Sequence, residues 1–339
     1  MKYLQNSSTR SLPPTSAKGR VSVLFLLFLL LNLATLLSLR FGSQPLAFDE
    51  LLSGTGTAYT IFLYIRWPRT VAALLAGGAL ATAGVLIQAV LNNSMASPNV
   101  IGVNAGAAFF ALLAVSLFPG KVPLAPAAFL GALITALFIY GLALRAGLSR
   151  SSLILAGIAV SSILNAGVDA ISLLFPDESI GSTAFLLGGF SGITIKRVGQ
   201  AVPFLSVGFL LALFLAAELN ILQLGEESAI SLGLSVKRTR FLATLAAALL
   251  AGSAVSFAGL LGFVGLLVPH MARRLIGRDH RWLIPASALL GASFVLLCDV
   301  VSRILFAPYE LPVGIVMSLL GGPFFLYLLL RGKRRRVND

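Results

Sequence analysis

Apolar runs separated by short polar or basic stretches repeat along the whole chain. Most of these runs reach the roughly 20 residues that a helix needs to cross a bilayer. The pattern therefore predicts an all-α polytopic membrane protein with about ten transmembrane helices. We number the apolar segments 1 to 10: residues 20–40, 67–91, 98–116, 123–145, 152–175, 201–220, 241–259, 263–275, 283–306 and 312–331.

Segments 3 and 8 are short and are bounded by helix-breaking residues. Ser97 and Pro98 precede segment 3, and Gly262 and Gly265 lie at the start of segment 8. Short or interrupted segments at corresponding places indicate two related halves of a transporter-like bundle. We therefore predict that segments 2–5 and 7–10 form an inverted repeat.

The composition excludes a soluble globular protein. The 339 residues are 58% hydrophobic and only 11% charged, whereas a soluble domain has about 25% charged residues. Cys298 is the single cysteine, so the chain can form no internal disulfide and no thiolate metal site. His270 and His280 are the only histidines, and without further converging ligands we expect no metal site. A structural hydrogen bond is expected for His270.

The formal charge of +13 reflects Lys and Arg at the ends of apolar segments rather than one continuous basic patch. This placement indicates positive-inside bias and argues against nucleic acid as a partner. With both termini cytoplasmic, most basic residues lie on the inner side. Residues 21–39 could be a signal peptide, but no clear cleavage site follows and the run is long enough to span.

These assignments divide the chain into three parts. Residues 1–19 are predicted to be a disordered cytoplasmic N-terminus, 20–331 a single transmembrane domain, and 332–339 a basic cytoplasmic tail. Residues 41–66 and 176–200 are predicted to be outer loops, the first with a short surface helix and the second packed on the membrane surface.

Three arginines are assigned to the outer side, Arg66, Arg69 and Arg303. Each could extend its charged end to the lipid headgroups, or the three could bind something acidic. Asp299 lies one turn before Arg303, so an ion pair within that helix is also open.

Residues 226–233 in the inner loop are predicted to form a short amphipathic helix that ends with Gly233 at the C′ position. It is either an ordinary surface helix or a docking element with Leu232 and Leu234 as anchors. Small residues also recur at four-residue spacing in segments 5 and 10, where they favour close approach between helices or packing within the subunit. They are Gly157, Ser161, Gly314, Ser318 and Gly322.

Asp169 and Asp299 fall within apolar segments, where an ionisable residue is a functional candidate. They could carry protons in a proton-coupled secondary transporter, or they could pair locally. No phosphate-binding P-loop motif occurs in the sequence, so the chain is not predicted to be an enzyme that hydrolyses ATP.

Several short motifs occur in order along residues 20–331. They are RWPR (66–69), GVLIQ (84–88), residues 98–106, LAG (155–157), GGFSG (188–192), LGL (232–234), GFVGLLVPH (262–270), GRDH (277–280), Asp299 with Arg303, ELPVG (310–314) and GGPF (321–324). Together they resemble one family, the FecCD-type permease subunits of ATP-binding-cassette (ABC) importers for iron chelates and vitamin B12. One departure is Asn93-Ser94-Met95-Ala96, where the family usually has Asn-Pro-Leu-Ala.

The resemblance implies a multi-pass protein of the bacterial cytoplasmic (inner) membrane, in contact with lipid, that imports a chelate. Ferric siderophore is the first expected class, followed by haem and cobalamin. Two permease copies, identical or paralogous, would surround one pore. Two ATPase subunits would use ATP and Mg, and this chain would bind no cofactor. A periplasmic or lipid-anchored substrate-binding protein would deliver the chelate. Alternatives are the proton-coupled transporter using Asp169 or Asp299 and a membrane scaffold.

The resemblance also implies residue roles. Arg66, Arg69 and Arg303 would dock acidic residues of the substrate-binding protein. The ATPase coupling loop, residues 224–236, would include Glu226, Glu227, Ala229, Leu232, Gly233 and Leu234. The cytoplasmic gate would be Ser149, Arg150, Ser151 and Ser152. The helices along the pore and dimer axis would include Gly157, Ser161, Gly314, Ser318 and Gly322.

Overall fold

The computed structural model describes residues 16–42, 54, 56–147 and 149–336. Nearly all of them are helical, and no β-strand occurs among them, which confirms the predicted all-α class. A π-helical turn, Phe62–Arg66, joins α2 to α3, and a 3₁₀ turn, Pro98–Ile101, precedes α4. The helices are α1 (Ala17–Arg40), α2 (Gly56–Ile61), α3 (Trp67–Val90), α4 (Val103–Leu117), α5 (Leu124–Arg145), α6 (Arg150–Leu174), α7 (Pro176–Leu187), α8 (Ile195–Phe214), α9 (Ala216–Leu222), α10 (Glu226–Ser231), α11 (Val236–Ala258), α12 (Val264–Ile276), α13 (His280–Ile304) and α14 (Val313–Arg336).

A helix is found at each of the ten predicted segments. Seven helical stretches are long and apolar enough to cross a membrane: α1, the continuous stretch from α2 through α3, α5, α6, α8, α11 and α13. Helix α4 and the apolar part of α14 are shorter. The chain is thus a polytopic membrane protein, although these lengths do not establish a count of ten spans.

The two segments predicted to be short form α4 and α12, with 15 and 13 residues. At 1.5 Å per residue, neither reaches the roughly 30 Å of a bilayer core. Both start directly after a residue with left-handed backbone, Gly102 (φ 71°) and Phe263 (φ 63°). A bulky residue such as Phe263 rarely adopts that conformation. Each predicted half therefore contains a short helix at the corresponding place, which agrees with the predicted repeat.

Glycines bring the central helices into backbone contact. A Cβ atom at Gly77 of α3 would collide with the carbonyl oxygen of Gly291 in α13. A Cβ atom at Gly84, two turns further along α3, would collide with the carbonyl oxygen of Gly265 in α12. Helices α3 and α11 are the most deeply buried of the long helices, whereas α1 and α6 are exposed along most of their length. The core is therefore centred on α3 and α11.

Helices α1 and α13 run parallel and are in contact near both ends. Arg20, near the start of α1, bonds Asp279 just before α13, and Ser38 near the end of α1 bonds Arg303 near the end of α13. Helix α3 runs antiparallel to α13, because its first turn lies at the Arg303 end. The bundle therefore has two ends. We call them the arginine face (Arg66, Arg69, Asp299, Arg303 and Glu310) and the α10 face (residues 218–240 and 277–281).

The predicted termini and loops differ from the structure by a few residues. Helix α1 begins at Ala17, inside the segment predicted to be disordered, and α14 continues to Arg336, inside the predicted tail. Residues 1–15, 43–53, 55, 148 and 337–339 lie outside the described residues. The predicted loop 176–200 contains α7, whose first residue is Pro176 and whose first turn carries Asp177 and Glu178.

Candidate functional site

Ion pairs between α3 and α13 form the centre of the arginine face. Arg69, in the first turn of α3, donates from Nε to Oδ1 of Asp299 (2.9 Å) and from Nη1 to Oε2 of Glu310 (2.6 Å). Nη2 of Arg303 lies 2.9 Å from Oδ2 of Asp299, an ion pair that lacks hydrogen-bond geometry. The Asp299–Arg303 pair, which the sequence left open as an alternative, is present, and Asp299 is shared between two guanidinium groups.

Helix α1 supplies the remaining acceptors of the arginine face. Arg66 donates from Nη1 to the carbonyl oxygens of Leu39 (2.8 Å) and Arg40 (2.6 Å), in the last turn of α1. Carbonyl groups there have no partner within their own helix. Arg303 donates to the carbonyl oxygen (3.2 Å) and to Oγ (2.9 Å) of Ser38. The three arginines therefore bind protein groups and are only 2% to 4% exposed, so they do not extend to lipid headgroups.

A cavity of about 390 Å³ adjoins this cluster. Its lining includes residues 190–193 of the α7–α8 loop together with Arg66, Arg69, Arg303 and Glu310. The Glu310 side chain is 28% exposed, whereas those of Arg69, Asp299 and Arg303 are at most 5% exposed. Three guanidinium groups and two carboxylates give the cluster a net charge of +1 (3 − 2). The docking role of the arginines stays a prediction.

Sequence reasoning assigned no role to Glu310, although the residue begins the ELPVG motif. The sequence feature that could have indicated a role for Glu310 is an acidic residue in a turn between two apolar segments. Nothing in the spacing shows that this turn reaches Arg69, which is 241 positions away in the chain.

The short helix predicted on the α10 face is confirmed. Helix α10 runs from Glu226 to Ser231 and ends with Gly233 at φ 81°. The N–H of Gly233 bonds the carbonyl oxygen of Ile230 (2.9 Å), and the N–H of Leu234 bonds that of Ala229 (3.0 Å). These two bonds form a Schellman motif, which requires the left-handed residue that glycine provides.

Helix α10 is held to the bundle on one side and exposed on the other. Ala229 is fully buried, and Glu226 pairs with the buried Arg240 of α11 at 3.0 Å. Ile230 and Leu232 are mostly exposed, while Leu234 is half-buried. The predicted coupling residues therefore form one compact element that exposes Ile230 and Leu232 beside acidic side chains, and their role towards an ATPase stays a prediction.

The α12–α13 loop is hydrogen-bonded to α9, the helix that leads into α10. Asn220 donates to Oδ1 of Asp279 (2.8 Å) and accepts from the N–H of His280 (2.8 Å), while Arg20 donates to Oδ2 of Asp279 (3.2 Å). Burial raises the pKa of the Asp279 carboxyl, but bonds from Asn220 and the Arg281 N–H, together with the charge of Arg20, hold that pKa below its ordinary value. The network joins α1, α9 and α13 beside α10.

The predicted gate residues begin α6. Oγ of Ser149 accepts from the N–H of Ser152 (2.9 Å), so Ser149 is the N-cap. The side chain of Arg150 lies outside the described residues. Ser149 and Ser151 are exposed and Ser152 is half-buried. Their gating role stays a prediction.

The small residues of α6 and α14 contact their own subunit in part. A Cβ atom at Gly157 would collide with the carbonyl oxygen of Val100, and one at Gly314 with that of Leu187. Packing within the subunit therefore accounts for these two glycines, an alternative that the sequence left open. Gly322 faces open space, Ser318 is exposed, and Ser161 Oγ is buried without a recorded partner among the described residues. Their position along a pore or dimer axis stays a prediction.

The hydrogen bond predicted for His270 is not found among the described residues. Its Nε2 is buried without a partner, and the ring packs edge-on against Phe324 at 6.5 Å between centroids. Throughout the residues that the structure describes, no group of three or more His, Cys, Asp or Glu side chains is arranged to hold a metal.

The loop that departs from the family pattern is ordered by side chains. Oδ1 of Asn93 accepts from the N–H of Met95 (2.9 Å), a turn that stands in for the missing proline. Gln88, which is buried, donates to the carbonyl oxygens of Ala96 (3.0 Å) and Gly265 (3.2 Å) and accepts from Arg273. Gln88 thus ties this loop to α12, a role that the sequence did not reveal.

Comparison with known proteins gives consistent results. A profile of the FecCD transport family matches residues 29–331. The iron(3+)-hydroxamate import system permease protein FhuG of Bacillus subtilis is 36% identical over 336 residues, which cover 94% of this chain and 99% of that protein. The hemin transport system permease protein HmuU of Yersinia pestis is 36% identical, covering 94% and 97%. The cobalamin import system permease protein BtuC of Halobacterium salinarum is 41% identical, covering 80% and 74%.

The fold is shared with a solved structure described as an inward-facing conformation of a metal-chelate type ABC transporter. The TM-score is 0.81 and the sequence identity 29%. The alignment covers 92% of this chain and 99% of that chain. The similarity therefore extends over the whole helical bundle.

Proposed function

The chain belongs to the FecCD transport family, and we propose that it is the permease subunit of an ABC importer that carries a ferric siderophore across the bacterial cytoplasmic membrane. The hydroxamate class is the first candidate substrate. The observation that carries the proposal is the 36% identity to a hydroxamate permease over nearly the full length of both proteins. The seven long apolar helices supply the membrane-spanning body that such a subunit needs.

In this proposal the energy comes from a separate subunit. The sequence has no phosphate-binding P-loop, so ATP and Mg²⁺ would be bound and hydrolysed by two partner ATPase subunits. Helix α10 is suited to contact them, because it is anchored by Ala229 and Arg240 while Ile230 and Leu232 are exposed. A second permease copy, identical or paralogous, would complete the pore.

The arginine face is proposed to lie outside and the α10 face in the cytoplasm. This orientation places most of the Lys and Arg residues on the inner side, as positive-inside bias requires. A substrate-binding protein would then dock at the arginine face through acidic side chains. It would release the chelate into the space between the two permease copies.

The proton-coupled alternative gains no support from its two carboxylates. Asp299 lies between Arg69 and Arg303, where it serves the packing of α3 on α13. Asp169 is exposed on α6 and has no recorded partner among the described residues.

The test is uptake of radioactive iron, as ferrichrome or ferrioxamine B, into liposomes that contain the complete transporter. The expected result is accumulation that needs ATP, the ATPase subunits and the substrate-binding protein. The same permease without ATPase, under an imposed pH gradient, is the matched control. Uptake in that control would overturn the proposal in favour of secondary transport.

A further inference from the structure

The arginine face is already occupied by carboxylates of its own chain. Arg69 bonds Asp299 through Nε and Glu310 through Nη1, at 2.9 and 2.6 Å. Only 5% of the Arg69 side chain is exposed. A carboxylate from another protein that approaches Arg69 therefore meets Glu310 first.

The two internal carboxylates are held very differently. Asp299 is fully buried within α13, where it also pairs with Arg303. Glu310 lies in the α13–α14 loop at the edge of the cavity, and its side chain is 28% exposed. Because water reaches Glu310 and not Asp299, Glu310 is the member that can leave without burying an unpaired charge.

The position of Glu310 also connects this ion pair to α14. Glu310 lies three residues before α14 begins at Val313. The neighbouring N–H of Leu311 bonds the carbonyl oxygen of Ser302 (3.1 Å), and the N–H of Gly314 bonds that of Gly188 (3.1 Å). The Arg69–Glu310 ion pair is therefore one of several contacts that hold the start of α14 to its neighbours.

We propose that Glu310 is an internal substitute for the docking partner's carboxylate. In the free permease it occupies Arg69, and an acidic side chain of the substrate-binding protein enters the 390 Å³ cavity and replaces it. Arg69 keeps Asp299 on Nε throughout the exchange and again has a carboxylate on Nη1 at its end, so Nη1 is not left unpaired. Release of Glu310 removes one of the contacts that hold the loop leading into α14, while the backbone bonds of Leu311 and Gly314 remain. This inference rests on the proposed function, since it assumes that a substrate-binding protein docks at this face.

The test is the affinity of the Glu310→Gln variant for the partner. Wild-type and variant transporters, reconstituted in nanodiscs with their ATPase subunits, are titrated with each purified iron-chelate-binding protein of the host. Loss of an internal competitor that forms a partly exposed ion pair is expected to tighten binding by about 2- to 5-fold. The net charge of the cluster rises from +1 to +2, so the affinity is also expected to fall more steeply with salt.

Two control variants accompany this titration. Glu178→Gln removes a carboxylate at the start of α7 for which no ion pair is recorded in the described part of the chain. It is expected to bind as wild type does. Glu310→Asp keeps the charge and is expected to restore wild-type affinity and salt dependence.

Unchanged or weaker binding by Glu310→Gln would overturn the inference, because Glu310 would then not compete for Arg69. Binding tightened equally by Glu178→Gln would also overturn it, since the effect would come from net charge alone. If no binding protein associates with the wild-type transporter, the proposed function fails instead.

Discussion

Asp299→Asn is the substitution that most directly tests the arginine face. Asp299 is fully buried and lies 2.9 Å from Nε of Arg69 and 2.9 Å from Nη2 of Arg303. Removing one partner of a buried ion pair costs about 3–5 kcal/mol, because the other charge is left uncompensated. Asparagine keeps one oxygen acceptor, and Glu310 still neutralises Arg69. We therefore expect a loss near the lower limit, about 3 kcal/mol.

Thermal unfolding of the purified protein in detergent measures this loss. For a chain of this size, about 3 kcal/mol corresponds to a fall in Tm of about 5–10 °C. Asp169→Asn is the matched control, because Asp169 is an exposed carboxylate on α6. Its effect should stay within about 0.5 kcal/mol.

A second variant separates charge from packing. Replacing Asp299 by Leu, and Arg69 and Arg303 by Met, removes Asp299 and both of its ion-pair partners at once. Such apolar replacement is often neutral or stabilising, so Tm should recover most of the loss. An Asp299→Asn protein that unfolds at the wild-type temperature would refute the reasoning, because these ion pairs would then not hold α3 against α13.

Further predictions concern the core, α10, the pathway and pH. Gly77→Val places a side chain against a backbone carbonyl of α13 and should lower folded yield several-fold in size-exclusion chromatography, whereas Gly141→Val faces open space and should not. Gly233→Ala adds a Cβ at φ 81° and should weaken the end of α10 by about 1 kcal/mol, with less ATPase retained on co-purification. Asp169→Asn should keep ATP-driven uptake within about twofold of wild type; loss of uptake would favour proton coupling. The folded-state pKa of Asp279 is lowered, so the stabilisation by this carboxylate is complete above about pH 5 and is lost as pH falls through the unfolded and then the folded pKa. The Tm difference between wild type and Asp279→Asn should therefore narrow towards pH 3.

Much of the helical architecture follows from local causes. The positions and lengths of the apolar segments predicted where each long helix lies. The Gly and Pro residues at segments 3 and 8 indicated that α4 and α12 are short. The end of α10 was predictable because a Schellman cap depends on a single residue, Gly233. The Asp299–Arg303 pair was predictable for the same kind of reason, since four-residue spacing places both side chains on one helix face.

The burial of the arginines was not predictable. Sequence reasoning placed Arg66, Arg69 and Arg303 on one side of the membrane and left open whether they faced lipid or a partner. Whether a charged side chain is exposed depends on the helices packed around it, and Ser38 and Leu39 of α1 supply those neighbours here. Spacing along the chain contains no such information.

What the sequence determined by itself is therefore the class of the protein, the positions of its helices and the family to which it belongs. Only the tertiary structure decided that Arg69 meets Asp299, 230 positions away, and Glu310, 241 positions away. It also decided that Gly157 and Gly314 pack within their own subunit. The physical reason is that helix formation depends on neighbouring residues, whereas an ion pair or a close helix crossing depends on which distant segments the whole bundle brings together.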